Sequence, residues 1–342
     1  MLISDFDYEL PSDMIAQQPL PQRHASRMLI VARAVGIFAD RNFCDLPTFL
    51  RVGDVLVLNN TKVFPARLIG RTETGAGIEV FLVREVGDVW ETLARPGRRL
   101  RVGKRLIFDD RLAAEVVEKR GDGKVFVRFE ADGDFYSILD EIGKTPLPPY
   151  IKRNTESLDA DRERYQTVFA SERGAIAAPT AGLHFTPGIL DAIRSKGVTV
   201  TQLTLHVGYG TFEPVRVDDL ADHSVSAERY SIGEETATIL NAAKTDGRRI
   251  VAVGTTTTRA LETNLSKYGG FAAGSHSADL TITPGYEFKA VDALLTNFHL
   301  PRSSLLVLTS TFGGHELIMN AYRHAVAEKY RFYSYGDCMF IV

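Results

Sequence analysis

The chain has 342 residues, 44% hydrophobic and 24% charged, which is ordinary globular composition with room for two domains and excludes a disordered or fibrous chain. Its net charge of −3 at pH 7 gives no overall basic signal, so a polyanion would have to meet a local patch. Two distant cysteines, Cys44 and Cys338, without metal-ligand spacing argue against a disulfide scaffold and a structural zinc site and suit a reducing cytoplasm. The N-terminus has no basic and apolar leader and no apolar run reaches bilayer length, so neither secretion nor a membrane is expected.

Residues 1–27 read as irregular, with Pro11, Pro19 and Pro21, and Met28 to Ala32 as a strand. The cluster Arg23, His24 and Arg27 reads as a phosphate contact or, more commonly for such clusters, a solvated loop. Leu46 to Leu50 suggests a short helix, and Val55 to Leu58 a strand covered on both faces. That strand delivers Asn59, Asn60, Thr61 and Lys62 to a loop, as ligand contacts or as plain turn chemistry.

From Ala66 to about Glu130 the texture changes to short alternating segments: Arg67–Arg71, Ile78–Val83, Trp90–Leu93, Lys104–Phe108, Ala113–Glu118 and Val125–Phe129. Turns separate them at about ten-residue spacing, the sign of a small antiparallel barrel or sandwich. The expected architecture is therefore an α/β main domain, 1–64 plus 150–342, with an inserted small antiparallel β-barrel domain at 65–149. The insert carries Arg95, Arg98, Arg99, Arg101, Lys104 and Arg105 around Pro96-Gly97, either a nucleic-acid backbone contact or a solvated turn. Asp134 is placed to cap a short helix through Ile142. Gly143 to Arg153 then runs extended because of its prolines, with Tyr150 either stacking on a nucleotide beside Lys152 and Arg153 or turned into the core.

Gln166 to Ala170 reads as a short strand before the stretch that organises the chain, Gly174 to Phe212. Thr186 as N-cap, Pro187 at the first helical position and Gly197 as a stop define a helix near 187–196, and the alternation from Val198 to Val207 a strand. His184 precedes that helix and His206 precedes the glycines Gly208 and Gly210. In α/β sheets ligands bind beyond the carboxyl ends of strands, so this is a candidate site, although a crowded crossover without a ligand explains the small residues equally well.

Asp222, His223 and Glu228 form an ionisable cluster, read as acid–base groups or, for His223, as a loop cap. Glu234 to Lys244 is an amphipathic helix, Ile250 to Val253 a buried strand, and Gly254 to Glu262 a glycine-and-threonine loop entering a helix, without the lysine and spacing of a P-loop. Residues 269–277 read as mobile, Leu280–Thr283 as a strand, Leu294 onward as a strand ending at Asn297 and His299. Ser303–Thr311 is a strand or buried helix, His315–Lys329 a helix, and the apolar C-terminus a strand.

Seven blocks in order, Asn59-Asn-Thr-Lys-Val-Phe-Pro-Ala-Arg-Leu, Pro146-Leu-Pro-Pro-Tyr-Ile, Tyr165-Gln-Thr-Val-Phe-Ala, Ala177-Ala-Pro-Thr-Ala-Gly-Leu-His-Phe-Thr, Thr204-Leu-His-Val-Gly-Tyr-Gly-Thr-Phe, Thr296-Asn-Phe-His-Leu-Pro and Tyr333-Ser-Tyr-Gly-Asp, resemble the S-adenosylmethionine:tRNA ribosyltransferase-isomerase family of queuosine biosynthesis along the whole chain. The resemblance implies a cytoplasmic enzyme that consumes S-adenosylmethionine as a ribosyl donor, with no cofactor and no metal. Its acceptor would be the aminomethyl-deazaguanine base at the wobble position of tRNA, and its products epoxyqueuosine-tRNA, adenine and methionine. A monomer with no membrane partner is expected.

By position in the matching blocks, His184, His206 and His299 are the candidates for acid–base work. Thr180, Ala181, Gly182, Gly208, Gly210, Thr211, Gly254, Thr255 and Thr256 would line the donor pocket, with Asn60, Arg67 and Arg259 on its carboxylate or ribose. Arg95, Arg98, Arg99, Tyr150 and Arg153 are the tRNA candidates. Two departures stand out: the family's His-x-Met-His-x-Glu is His223-Ser-Val-Ser-Ala-Glu228 here, and its Thr-x-Ile-Phe-Ile is Ala278-Asp-Leu-Thr-Ile. A SAM-dependent methyltransferase would need a glycine-rich motif after its first strand, which is not evident. A non-catalytic RNA-binding module would leave the polar strand ends unexplained.

Overall fold

The computed structural model describes residues 1–152, 158–208 and 215–342. In chain order the strands are β1 (Arg27–Ala32), β2 (Ile37–Asn42), β3 (Val55–Asn59), β4 (Thr61–Val63), β5 (Arg67–Thr72), β6 (Gly77–Val86), β7 (Val89–Arg95), β8 (Arg105–Ile107), β9 (Leu112–Lys119) and β10 (Lys124–Ala131). They continue with β11 (Glu172–Ala175), β12 (Thr199–Leu205), β13 (Glu228–Ile232), β14 (Ile250–Val253), β15 (Gly274–Ala278), β16 (Ala293–Asn297) and β17 (Cys338–Ile341). The helices are α1 (Leu46–Phe49), α2 (Phe135–Ile142), α3 (Leu158–Arg164), α4 (Pro187–Ser195), α5 (Glu234–Thr245), α6 (Thr255–Tyr268), α7 (Ser304–Gly313) and α8 (His315–Ala327).

The body is a nine-stranded sheet in the order β15-β13-β12-β3-β14-β16-β17-β1-β2. Its centre, β12, β3, β14 and β16, is parallel. These strands read as unbroken apolar runs because both faces are covered. Along β3, Val55 and Val57 face the core built with Leu261 and Leu306, while Leu56 and Leu58 face Phe43, Leu190 and Ile193. The capping expected at α4 is present, Thr186 accepting from the Ile189 N–H, and Asp134 caps α2 in the same way through Ser137.

Strands β5 to β10 close into an antiparallel barrel in the order β10-β7-β6-β5-β8-β9, filled by side chains such as Leu68, Val80, Leu106, Val116 and Val127. The expected α/β body with an antiparallel barrel is thus the observed fold. A parallel two-stranded ribbon, β4 with β11, runs between barrel and body. Its Val63 and Ala175 share a small core with Ile151, Tyr165 and Leu183.

Four local expectations differ. Gln166 to Ala170 is not a strand: the Gln166 side-chain amide accepts from the Val63 N–H at 3.1 Å and donates to the Val63 carbonyl at 2.6 Å, replacing a backbone ladder there. Gly254 to Thr258 is not a loop. Helix α6 begins at Thr255, and the hydroxyls of Thr257 and Thr258 donate back to the carbonyls of Val253 and Gly254. Within the stretch read as mobile, Gly274–Ala278 pairs with β13. Leu280–Thr283 is not a strand: the Leu280 carbonyl is taken by the Arg259 side chain, and the Thr281 hydroxyl accepts from the Val225 N–H.

Helix α6 is polar in sequence yet buried from Thr255 through Asn264. Its Glu262, fully buried, accepts from the Ala290 and Val291 N–H groups through Oε1 and from the Lys289 N–H and the Tyr286 hydroxyl through Oε2, all at 2.9–3.0 Å. Removing that carboxylate strands four donors, of which the Ala290 and Val291 N–H groups are buried. Glu262→Ala is expected to lower the unfolding free energy by about 3 kcal/mol or more, read as a fall in the urea midpoint.

Candidate active site

The carboxyl ends of β12, β14 and β16 open on one edge of the sheet, where a parallel α/β sheet offers a crevice. A cavity of about 1210 Å³ lies there between body and barrel. His206, Gly208, Glu228, Arg229, Arg259 and the first turn of α6 line its body side, and Trp90, Glu91, Leu93 and Lys124 its barrel side. A second cavity of about 50 Å³ meets it at Val207, Thr255, Thr256 and Leu305.

The three candidate histidines fall in different places. His206 lines the large cavity, with Nδ1 2.8 Å from the Thr61 hydroxyl, and burial and then Arg229 hold its pKa below the ordinary value. His299 lines the small cavity with Nε2 2.8 Å from the Thr296 hydroxyl, and burial lowers it to about 3. His184 lines neither. Its Nδ1 meets the Ser26 hydroxyl at 2.9 Å and its Nε2 the Asn297 carbonyl oxygen at 3.1 Å, its ring lies against Phe43, and burial lowers its pKa to about 4.

Thr180, Ala181 and Gly254 line the small cavity, Gly208 and Arg259 the large one, and Thr255 and Thr256 both. Gly182 lines neither; a Cβ there would come within 2.8 Å of the side chains of Phe169 and Thr167, so packing accounts for it. Asn60 is spent inside the fold, donating to Ser171 and accepting from Thr204. Arg67 is paired with Glu79 at 2.6 Å within the barrel and lines neither cavity. Arg259 is at the cavity but fully engaged, donating to Glu228 at 2.7 Å and to the carbonyls of Leu280, Ser226 and Ala278. The last two arginines are therefore committed within the fold.

On the barrel, Arg95 and Arg98 are exposed. Arg95 lies two residues beyond Leu93, on the same face of β7 that lines the cavity. Tyr150 instead meets Tyr333 edge-on with centroids 4.1 Å apart, and its hydroxyl pairs with Ser334, so its polar atom is used within the body. Gly210, Thr211, Arg153 and the side chain of Arg99 lie outside the described residues. In the ionisable cluster only Glu228 lines a cavity, its Oε1 accepting from the Gly208 N–H at 3.0 Å, whereas Asp222 and His223 do not. Ser226, at the departure from the family block, is exposed on the large cavity.

Sequence reasoning placed Thr61 among the possible ligand contacts but missed Arg229, Gly174 and the barrel wall. Glu91 on that wall is buried, and although burial opposes its charge, Lys124 at 2.9 Å and Arg84 at 2.8 Å hold its pKa below the ordinary value. Arg229 lines the cavity exposed and, among the described residues, has no ion pair. The alternation of buried Glu228, Tyr230 and Ile232 with exposed Arg229 was the available signal. Among the described residues no group of three or more His, Cys, Asp or Glu is placed to hold a metal ion, and no helix is long and apolar enough to cross a membrane.

A large crevice at the strand ends, with a histidine and an exposed guanidinium on one wall, is the kind of place where an α/β enzyme offers a ligand site. The chain belongs to the queuosine biosynthesis protein family, whose profile matches residues 3–341, and is an enzyme of the transferase and isomerase class. It is 52% identical over 345 residues to the S-adenosylmethionine:tRNA ribosyltransferase-isomerase of Syntrophotalea carbinolica, covering 100% of both chains. The crystal structure of the S-adenosylmethionine tRNA ribosyltransferase of Thermotoga maritima matches with a TM-score of 0.56 and 36% identity, over 99% of this chain and 100% of that one.

The buried histidines set a pH dependence. With a folded pKa of about 4 against an ordinary 6.5, the neutral form of His184 is favoured by folding. Its contribution is whole above pH 6.5 and is lost as pH falls towards about 4, at up to about 1.4 kcal/mol per pH unit. His184→Gln should therefore flatten the fall in melting temperature between these pH values.

Proposed function

We propose that the chain transfers and isomerises the ribosyl moiety of S-adenosylmethionine onto 7-aminomethyl-7-deazaguanine at the tRNA wobble position, giving epoxyqueuosine-tRNA, adenine and methionine, as a cytoplasmic monomer. The carrying observation is the two-walled cavity of about 1210 Å³, which gives a nucleoside donor and a base on a large polyanion separate walls to approach from. The name of the relative from Syntrophotalea carbinolica supports the choice of both substrates.

In this reading the sulfonium acidifies the neighbouring ribose carbon, a proton is lost there, adenine departs, the acceptor amine attacks and closure to the epoxide expels methionine. Departing adenine needs a hydrogen-bond donor; two histidines, His206 and His276, line the large cavity, and the role falls to His206, which stands at the carboxyl end of β12 with no described residue bonding its Nε2. Arg229 takes the donor carboxylate, the part first expected of Arg67 or Arg259. Thr255 and Thr256, in the first turn of α6, line both cavities, and that helix N-terminus would offer N–H groups to oxygens of the donor. The insert faces the RNA, with Arg95 and Arg98 extending the cavity wall towards the backbone.

Incubation of the purified protein with S-adenosylmethionine and tRNA bearing the aminomethyl base should release adenine and methionine and add an epoxycyclopentanediol to the nucleoside. Transfer of a methyl group with adenosylhomocysteine, or tRNA binding without turnover, would contradict the proposal. Arg229→Ala is expected to raise KM for S-adenosylmethionine about ten-fold or more. Replacing Arg95 and Arg98 together by alanine should weaken tRNA binding and reduce the slope of log K against log salt by about 1–2, measured by a binding titration across salt concentrations.

A further inference from the structure

The Thr61 hydroxyl is fully buried, and its one partner among the described residues is His206 Nδ1 at 2.8 Å. Its backbone is held as well, the N–H donating to Asn59 Oδ1 at 3.2 Å and β4 pairing with β11. From β11, Gly174 supports the imidazole from beneath: a Cβ there would stand 2.6 Å from His206 Cε1 and 2.7 Å from Nδ1, so only a residue without one leaves the ring its place. Arg229 and Glu172 are the charged groups acting on the ring. No described residue bonds Nε2, and His206 lines the large cavity.

A neutral imidazole carries one N–H, and the hydrogen bond made by the other nitrogen decides which. Were Nδ1 the donor, the Thr61 proton would be buried with no acceptor, at a cost of about 1–3 kcal/mol. With Thr61 donating, every hydrogen is placed and Nε2 carries the ring proton.

We infer that Thr61 and Gly174 are positioning residues that fix the tautomer and seat of His206, so that its neutral ring presents an Nε2–H donor to an acceptor atom in the cavity. The ligand atom is thus an electron-pair donor, such as a purine ring nitrogen or a ribose oxygen, and a neutral imidazole can polarise such an atom without carrying charge. Its use in turnover rests on the ribosyl-transfer reading; the tautomer itself does not. Because both positioning residues lie on the ribbon beside the barrel, the donor is tied to the element from which the barrel departs.

The test is imidazole-nitrogen NMR of the full-length protein at mildly alkaline pH, with Thr61→Val and Thr61→Ser beside the parent. The parent and Thr61→Ser should show His206 protonated at Nε2, and Thr61→Val a shift towards the Nδ1–H form. With substrates, Thr61→Val should lower kcat about ten-fold with KM for S-adenosylmethionine within about two-fold, and Thr61→Ser should restore kcat. A parent ring protonated at Nδ1, or a tautomer unchanged in Thr61→Val, would overturn the inference. The predicted spectra would support it even in a protein without turnover, so its failure and that of ribosyl transfer read differently.

Discussion

The cavity depends on the buried ion pair between Arg259 and Glu228. Taking two charges out of water is costly, and such a pair is retained where every remaining donor and acceptor is satisfied. Here Arg259 meets three carbonyls besides the carboxylate, and Glu228 passes its second oxygen to the Gly208 N–H. One guanidinium thereby ties helix α6, the 278–280 turn, β13 and the end of β12 into one wall. Glu262, one turn further along α6, does the same for residues 286–291. The return on burying so polar a helix is fixed position rather than stability.

The opposite wall follows a different rule. Barrel cations lining the cavity, Arg84 and Lys124, share an ion pair with the buried Glu91, while Arg95 and Arg98 are exposed further out. Glu91 offsets part of the positive charge at the cavity, and Arg95 and Arg98 add to it at the rim. For a polyanionic partner that arrangement draws the backbone to the edge and leaves the interior to the reacting groups.

Much of the fold was legible because it rests on patterns of short range. Val55–Leu58 and Ile250–Val253 are apolar without interruption as doubly covered strands must be, the barrel strands alternate, and Thr186 and Asp134 cap where capping residues should. What escaped depends on partners distant in sequence. The amide of Gln166 stands in for a strand, Arg259 satisfies the Leu280 carbonyl, and β15 forms only because β13 offers it an edge. The candidate site divides likewise: blocks placed His206 and Gly208 and the glycine-threonine turn placed Thr255 at the cavity edge, but composition could not distinguish the engaged Arg67 and Arg259 from Arg229, which has no ion pair among the described residues, since that difference lies in their neighbours.

The central claim is that donor and tRNA meet between the barrel face of β7 and the ends of β12 and β13. Amide hydrogen exchange of the full-length protein, alone and with S-adenosylmethionine and tRNA together, tests it most directly. The account predicts slowed exchange in both Val89–Arg95 and residues 225–229, on opposite walls. Protection by the ligand pair that spared either wall would contradict it.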